Sequence, residues 1–123
     1  MKSTKYNVLI ANRVLLVEYC GNLLSIYMGD DTYEVIDTGL RGICYLGYLY
    51  ESDDMIMVVT GEGKIYHLDY INLKKPNITL VRTLKSTVVK AKQDRKTIWI
   101  LYPNNILSTL MYTFNPISCD TAP

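Results

Sequence analysis

Three stretches of the sequence repeat at a constant spacing, and this repeat limits the folds that the chain can adopt. The stretches begin at Arg13, Met55 and Thr97, 42 residues apart, and read RVLLVEYCGNLLSIYM, MIMVVTGEGKIYHLDY and TIWILYPNNILSTLMY. Each contains an apolar run, a turn and a second apolar run, and the sixteen columns align without a gap. A fixed period of this length is typical of proteins built from stacked copies of one supersecondary unit.

The turn within each repeat indicates a β-hairpin. Gly21, Gly63 and Asn105 fall in one column, and glycine and asparagine are the residues that accept a positive φ in a tight hairpin. Further strand candidates, rich in tyrosine and β-branched residues, flank the hairpins. They precede the hairpins at residues 6–10, 43–50 and 88–92, and follow them at 33–36, 78–81 and 117–119. We therefore predict four strands in each repeat.

The apolar runs before the turns indicate how the sheets pack. VLLV, IMVV and IWIL are continuous, and continuous runs are typical of strands that are buried on both faces, so we expect Trp99 to be buried. A two-sheet sandwich would alternate instead. Four-stranded repeats of roughly 40 to 45 residues are typical of β-propeller blades. The sequence predicts one all-β domain over residues 1–123, with three four-stranded antiparallel propeller-type repeats at about 5–39, 40–84 and 85–119.

Two resemblances accompany this pattern. The stretch GEGKIYHLDYINLKKPNITLVRTLK resembles the end of a WD-repeat blade, with Gly63 at the turn glycine and Leu68-Asp69 in the place of the Trp-Asp pair. The stretch LLVEYCGNLLSIY is similar to blades of the propellers attached to plant F-box proteins. At the level of blade architecture the resemblance covers nearly the whole chain, and it implies a propeller.

Three blades do not close a ring, because propellers typically have four to eight. One apolar face would stay open at each end, and such a face marks an interface. Residues 1–70 hold ten acidic and five basic residues, whereas residues 71–123 hold eight basic and two acidic ones. We therefore expect a homodimer, a pairing with another propeller fragment, or a larger propeller; a head-to-tail dimer would set acidic against basic ends of a six-bladed ring. The alternative is that the asymmetry is accidental and the faces are solvated loops.

Motifs for catalysis are missing from the sequence. It contains no P-loop, GxGxxG, GxSxG or HExxH motif, and its one histidine, His67, has no second ligand at a metal-site spacing. We predict a non-enzyme without cofactor or metal, in which His67 is a buried structural residue. The three cysteines form no CxxC pair, which predicts a reducing, intracellular location, cytoplasmic or nuclear. No apolar run has the length of a membrane span, so we expect no membrane association.

We predict a scaffold or adaptor that presents propeller surface to a protein partner. Binding would fall on the turns, on the open blade faces and on a basic stretch, and the candidate residues are Tyr19, Glu62, Asn104, Lys90, Lys92, Arg95 and Lys96. Alternation places Lys90 and Lys92 on one face of an outer strand. One alternative is a small-ligand or glycan-binding propeller, which the predicted burial of Trp99 disfavours. The other is a basic-faced nucleic-acid accessory protein, which the net charge of +1 disfavours.

Overall fold

The computed structural model describes residues 6–111, which form three antiparallel sheets. Within each sheet every strand pairs with its neighbour in sequence, so each sheet is a meander. Sheet 1 consists of β1 (Asn7–Ile10), β2 (Val14–Tyr19), β3 (Asn22–Met28) and β4 (Tyr33–Arg41). Sheet 2 consists of β5 (Ile43–Tyr48), β6 (Met55–Thr60), β7 (Lys64–Asp69) and β8 (Asn77–Thr83). Sheet 3 consists of β9 (Lys90–Asp94), β10 (Thr97–Tyr102) and β11 (Ile106–Met111).

The predicted all-β class is confirmed, and the first two sheets have the predicted four strands. Sheet 3 has three strands within residues 6–111, and the strand predicted at residues 117–119 lies outside the described residues. The strand predicted at 88–92 begins two residues later, at Lys90. Val88 instead donates its amide hydrogen to the carbonyl of Gly61, at 2.9 Å, and so holds the link between sheets 2 and 3 against a hairpin turn.

The sheets stack in chain order, with sheet 2 in the middle. Four consecutive residues of β6 show this, because all of them are 0% exposed. Ile56 and Val58 belong to the core shared with sheet 1, whereas Met57 and Val59 belong to the core shared with sheet 3. Full burial of one such side chain stabilises a fold by about 1.5–3 kcal/mol. Both faces of sheet 2 therefore contribute to stability.

The prediction that all three apolar runs are buried on both faces is wrong for the two outer sheets. In β2, Val14 and Leu16 are fully buried while Leu15 and Val17 are only partly buried. In β10, Trp99 was expected to be buried but is 40% exposed. The reason is that sheets 1 and 3 end the stack that the described residues form, so each has a neighbouring sheet on one side only.

The hairpin turns confirm one prediction and correct another. Gly21, Gly63 and Asn105 all have positive φ, at 84°, 90° and 62°. However, the β2–β3 turn has two residues, since Tyr19 pairs with Asn22, whereas the turns at 61–63 and 103–105 have three. Two kinds of hairpin turn are common: a two-residue turn in which both residues have a positive φ, and a three-residue turn whose last residue has a positive φ.

The shorter turn shifts the first repeat by one residue along β2. Leu15 pairs with Ile26, Ile56 with Leu68, and Ile98 with Leu110. The structural counterpart of Ile56 and Ile98 is therefore Leu15, not Val14 as the ungapped alignment predicts. A one-residue shift moves a side chain to the opposite face of its sheet, and this sets which residues of sheet 1 point outward.

A buried hydrogen bond joins sheets 1 and 2. Ser25 Oγ lies 2.7 Å from Tyr70 Oη, and the two residues are 1% and 2% exposed. Burial raises the pKa of the Tyr70 phenol to about 12. The phenol therefore stays neutral at physiological pH and needs a hydrogen-bond partner inside the protein.

Ser25→Ala is expected to lower the free energy of unfolding by about 1–3 kcal/mol, because it leaves the Tyr70 hydroxyl buried without this partner. Adding Tyr70→Phe removes the stranded hydroxyl, so the double variant should be less destabilised than the sum of the two single variants. Urea denaturation of all four proteins measures the difference. Additivity within about 0.5 kcal/mol would contradict the proposed coupling.

Candidate interaction surfaces

Each sheet has two faces, which we name by the chain order of the stack. The leading face looks towards the following sheet and the trailing face towards the preceding one. The leading faces of sheets 1 and 2 and the trailing faces of sheets 2 and 3 meet in the two cores. Among residues 6–111, two faces have no neighbouring sheet: the leading face of sheet 3 and the trailing face of sheet 1.

The leading face of sheet 3, hereafter the Trp99 face, is apolar with a basic side. The cross-strand register places on it Lys90, Lys92, Asp94, Thr97, Trp99, Leu101, Leu107, Thr109 and Met111. Trp99 lies opposite Lys92, and Leu101 lies opposite both Lys90 and Leu107. These residues line an open groove of about 370 Å³. The surface thus combines exposed hydrophobic area with two ammonium groups.

Structural counterparts in the other sheets show what normally covers such a face. Leu23 and Ile65 occupy the position of Leu107 in sheets 1 and 2, and both are 0% exposed, whereas Leu107 is 59% exposed. Leu16 and Met57 likewise are the fully buried counterparts of the half-exposed Trp99. The Trp99 face therefore has the residues of a covered face, but residues 6–111 supply no cover for it.

The trailing face of sheet 1, hereafter the Leu15 face, carries a row of aliphatic residues across all four strands. The cross-strand register places on it Leu9, Leu15, Val17, Leu24, Ile26, Val35 and Asp37. Leu9 and Val35, at the two ends of the row, are 47% and 50% exposed. The counterparts of Leu15 and Ile26 in sheet 2 are Ile56 and Leu68, which are 0% exposed.

The two ends of the stack carry opposite charge. Residues 6–42, which include sheet 1, hold five acidic and two basic residues. Residues 85–111, which include sheet 3, hold five basic residues and one acidic residue. Lys90 and Lys92 lie on the Trp99 face, and Asp37 lies on the Leu15 face opposite Leu24. The two ends of the stack are therefore opposite in net charge, and on the faces themselves Lys90, Lys92 and Asp94 stand against Asp37.

The basic stretch predicted as a binding element divides into two parts. Lys90 and Lys92 lie on one face of β9, as predicted, and that face is the Trp99 face. Arg95 and Lys96 lie in the β9–β10 turn, where they line a second groove of about 390 Å³ together with Tyr50 and with Met111 at the edge of the Trp99 face. Two of the four basic candidates, Lys90 and Lys92, therefore share a face with Trp99. The sequence did not predict that Trp99 lies on a surface.

The remaining candidates, Tyr19, Glu62 and Asn104, lie one to a sheet along the rim that carries the hairpin turns. All three are exposed, Tyr19 by 54%. The hairpin turns form backbone hydrogen bonds with the segments that connect one sheet to the next. The Gly61 amide, for example, donates to the Gly42 carbonyl at 2.7 Å. These candidates are thus spread along a rim rather than gathered in a pocket.

His67 lies inside the stack and not on either open face. It is 4% exposed, on the leading face of sheet 2 opposite Met57, so its predicted burial is confirmed. Burial lowers the pKa of its imidazole. Among residues 6–111, no three His, Cys, Asp or Glu side chains come together in a way that would hold a metal ion. Within the same residues, no helix has the length and apolar character that a membrane span requires.

The depressed pKa of His67 predicts that the fold weakens as the pH falls below about 6.5. An unfolded histidine takes up its proton near that pH, so below it the unfolded state binds more protons than the folded one. The free energy of unfolding should then fall with pH by up to ~1.4 kcal/mol per unit until the folded pKa is reached. Urea denaturation between pH 7 and 5.5 measures the slope. His67→Gln should flatten it, and an unchanged slope in this variant would contradict the assignment.

No protein-family model matches the chain, and neither a curated protein nor a solved structure is significantly similar to it. The inference of function therefore rests on the two open faces and on the residues that form them.

Proposed function

We propose that this chain is a non-catalytic protein–protein interaction module, a scaffold or adaptor, whose two end faces bind protein. One observation carries the proposal: Leu107 is 59% exposed, although its counterparts Leu23 and Ile65 are fully buried beneath the next sheet. Contiguous apolar surface of this kind marks interaction sites on folded proteins. A protein surface that covers both end faces would bury their side chains as sheets 1 and 3 bury the faces of sheet 2.

We propose further that the three sheets are propeller-type blades. Two observations support this. The first strands of neighbouring sheets lie beside each other, β1 beside β5 and β5 beside β9, as they do where blades radiate from a central axis. In addition, Gln93 of β9 donates to the carbonyl of Tyr48 of β5 at 2.7 Å, which ties two of these first strands together. In a closed propeller every blade has a neighbour on both faces; within residues 6–111, sheet 2 alone has this.

The shape of the two faces favours protein over a small ligand. Small-ligand sites are concave and enclose most of the ligand, whereas the Leu15 face is a row of aliphatic side chains across a sheet. One observation favours the glycan alternative: Trp99 is exposed beside a groove, and sugars stack on exposed tryptophan. The groove walls formed by Leu101 and Leu107 offer few hydrogen bonds to hydroxyl groups. A glycan array tests this second candidate.

A nucleic-acid function has less support. Arg95 and Lys96 lie in the β9–β10 turn and not on β9, and Asp94 comes between them and the two lysines of the Trp99 face, so this face is not a basic stripe. We also propose an intracellular location, because the three cysteines of the sequence form no CxxC pair and no disulfide framework.

Site-specific photo-crosslinking tests the proposed function. The full chain would carry a benzophenone amino acid at position 107 and, as a matched control, at position 71. Ile71 is 79% exposed in the β7–β8 loop, away from both end faces. We expect a discrete protein adduct from position 107 only. If the partner is another protein, excess wild-type chain should compete the adduct away and excess Leu107→Glu chain should not. If the partner is a second copy of this chain, the adduct should have twice the chain mass, and added Leu107→Glu chain, whose Leu15 face is unchanged, should be crosslinked as well. Equal adduct yields from the two positions would contradict the proposal.

A further inference from the structure

We infer that the protein covering both end faces is a second copy of this chain, held head to tail. The Trp99 face of each copy then lies on the Leu15 face of the other, and two copies form a closed stack of six sheets. This inference rests on the proposed function and names its partner.

The chain already contains two packings of the required kind. The leading face of sheet 1, with Leu16 and Leu23, packs on the trailing face of sheet 2, with Ile56 and Val58. The leading face of sheet 2, with Met57 and Ile65, packs in the same way on Ile98 and Ile100 of sheet 3. A leading face therefore fits a trailing face built on the same repeat.

The open faces supply the two halves of a third such packing. Trp99 and Leu107 stand where Met57 and Ile65 stand in sheet 2. Leu15 and Val17 stand where Ile56 and Val58 stand, once the one-residue shift in β2 is applied. A second copy thus offers each open face a partner with the residue types and register of the partners already used within the chain.

Charge separates this arrangement from a like-on-like pairing. The positions of Lys90 and Lys92 are taken in sheet 2 by the uncharged Tyr45 and Gly47, which lie opposite Val59 and Met57. A Trp99 face packed on another Trp99 face would bring four lysines together with only two aspartates, the Asp94 pair, and an excess of like charge at an interface is unfavourable. Packed on the Leu15 face, the same lysines meet a face whose acidic residue is Asp37, at the end of the stack with the acidic excess.

The number of sheets explains why two copies suffice. A head-to-tail contact repeats until the rotation closes, and otherwise it generates an open filament. Two chains of three sheets give six, which lies within the four to eight blades of closed propellers. The closed pair has two identical contacts and no open face.

Solution mass tests the inference, by light scattering after size exclusion of the full chain. We expect about 28 kDa, twice the chain mass of 14.1 kDa, and dissociation at high salt because the ends attract electrostatically. Leu107→Glu alters only the Trp99 face, and Leu9→Lys alters only the Leu15 face. Both positions are about half exposed, so both variants should fold, as circular dichroism checks, and each should run as a monomer.

Mixing the two variants gives the sharpest result. The Leu107→Glu chain keeps an intact Leu15 face, and the Leu9→Lys chain keeps an intact Trp99 face, so a mixture retains one of the two contacts. We expect the mixture to form a pair that neither variant forms alone. A like-on-like dimer behaves differently, since one of the variants would still dimerise alone and mixing would restore nothing.

Three results would overturn the inference: a wild-type monomer at every concentration, a variant that still dimerises alone, or a mass that grows beyond two copies. The first result together with a competed crosslink from position 107 to another protein would leave the proposed function standing. A wild-type monomer that also gives no specific adduct from position 107 would overturn the proposed function as well.

Discussion

Ile65→Glu is expected to unfold the chain, whereas Leu107→Glu, at the structurally equivalent position one sheet later, is expected to leave the single chain folded. Ile65 is 0% exposed between sheets 2 and 3, and Leu107 is 59% exposed. A carboxylate at position 65 would lose its hydration without gaining a partner, at a cost on the order of 5 kcal/mol. That is comparable to the whole stability of a small domain.

Circular dichroism during urea denaturation measures both variants. We expect no folded baseline for Ile65→Glu and, for Leu107→Glu under conditions in which the wild type is also monomeric, a change of less than about 1 kcal/mol. Equal losses at the two positions would contradict the end-of-stack position of sheet 3, since Leu107 would then be packed within its own chain.

Gly63→Ala should lower the free energy of unfolding by about 2–5 kcal/mol, and Gly21→Ala by only about 1–2 kcal/mol. Both glycines have a positive φ, which costs an L-residue about 1–2 kcal/mol. A Cβ on Gly21 would meet open space, whereas a Cβ on Gly63 would overlap the carbonyl oxygen of Ser86. Displacing that backbone would strain the link between sheets 2 and 3, which adds a cost typical of overpacking.

Urea denaturation of the two alanine variants beside the wild type measures this difference. Because both glycines occupy the same turn column, the comparison isolates the contact with Ser86 from the cost of the positive φ. Equal losses in the two variants would mean that the link does not lie over the β6–β7 turn.

Local chemistry in the sequence was sufficient to predict the hairpins and the all-β class. A glycine or asparagine at the end of each turn reports a positive φ directly, and Gly21, Gly63 and Asn105 have it. The apolar runs on either side of these turns became strands in all three repeats.

The register of β2 was not predictable in the same way. VLLV is apolar at every position, so a slip of one residue leaves the hydrophobic pattern unchanged. Only the turn length decides the register, and Cys20, with φ at 52°, is not a residue type that signals a two-residue turn.

The exposure of Trp99 depends on tertiary structure that a single strand does not encode. IWIL has the continuous apolar pattern of a doubly covered strand, yet its second cover would have to come from a sheet beyond sheet 3. Alternation places Trp99 opposite in direction to Ile98 and Ile100, which face sheet 2. Trp99 is exposed because no sheet of the described residues packs on its face. The same observation supports an interface at this face. Tyr19, Glu62 and Asn104 remain predictions, on an exposed rim.

Trp99 also provides the most direct test of whether the open faces are covered in solution. It is the only tryptophan in the sequence, so its fluorescence reports on the Trp99 face alone. The measurement is the emission maximum and the acrylamide quenching of the full chain over a dilution series at low salt, with Leu107→Glu as the control.

We predict a blue-shifted, weakly quenched emission at high concentration that becomes red-shifted and readily quenched on dilution or at high salt, while Leu107→Glu stays red-shifted throughout. A wild-type emission that is red-shifted and readily quenched at every concentration would contradict the head-to-tail pair, because the Trp99 face would then be open to water in the protein alone.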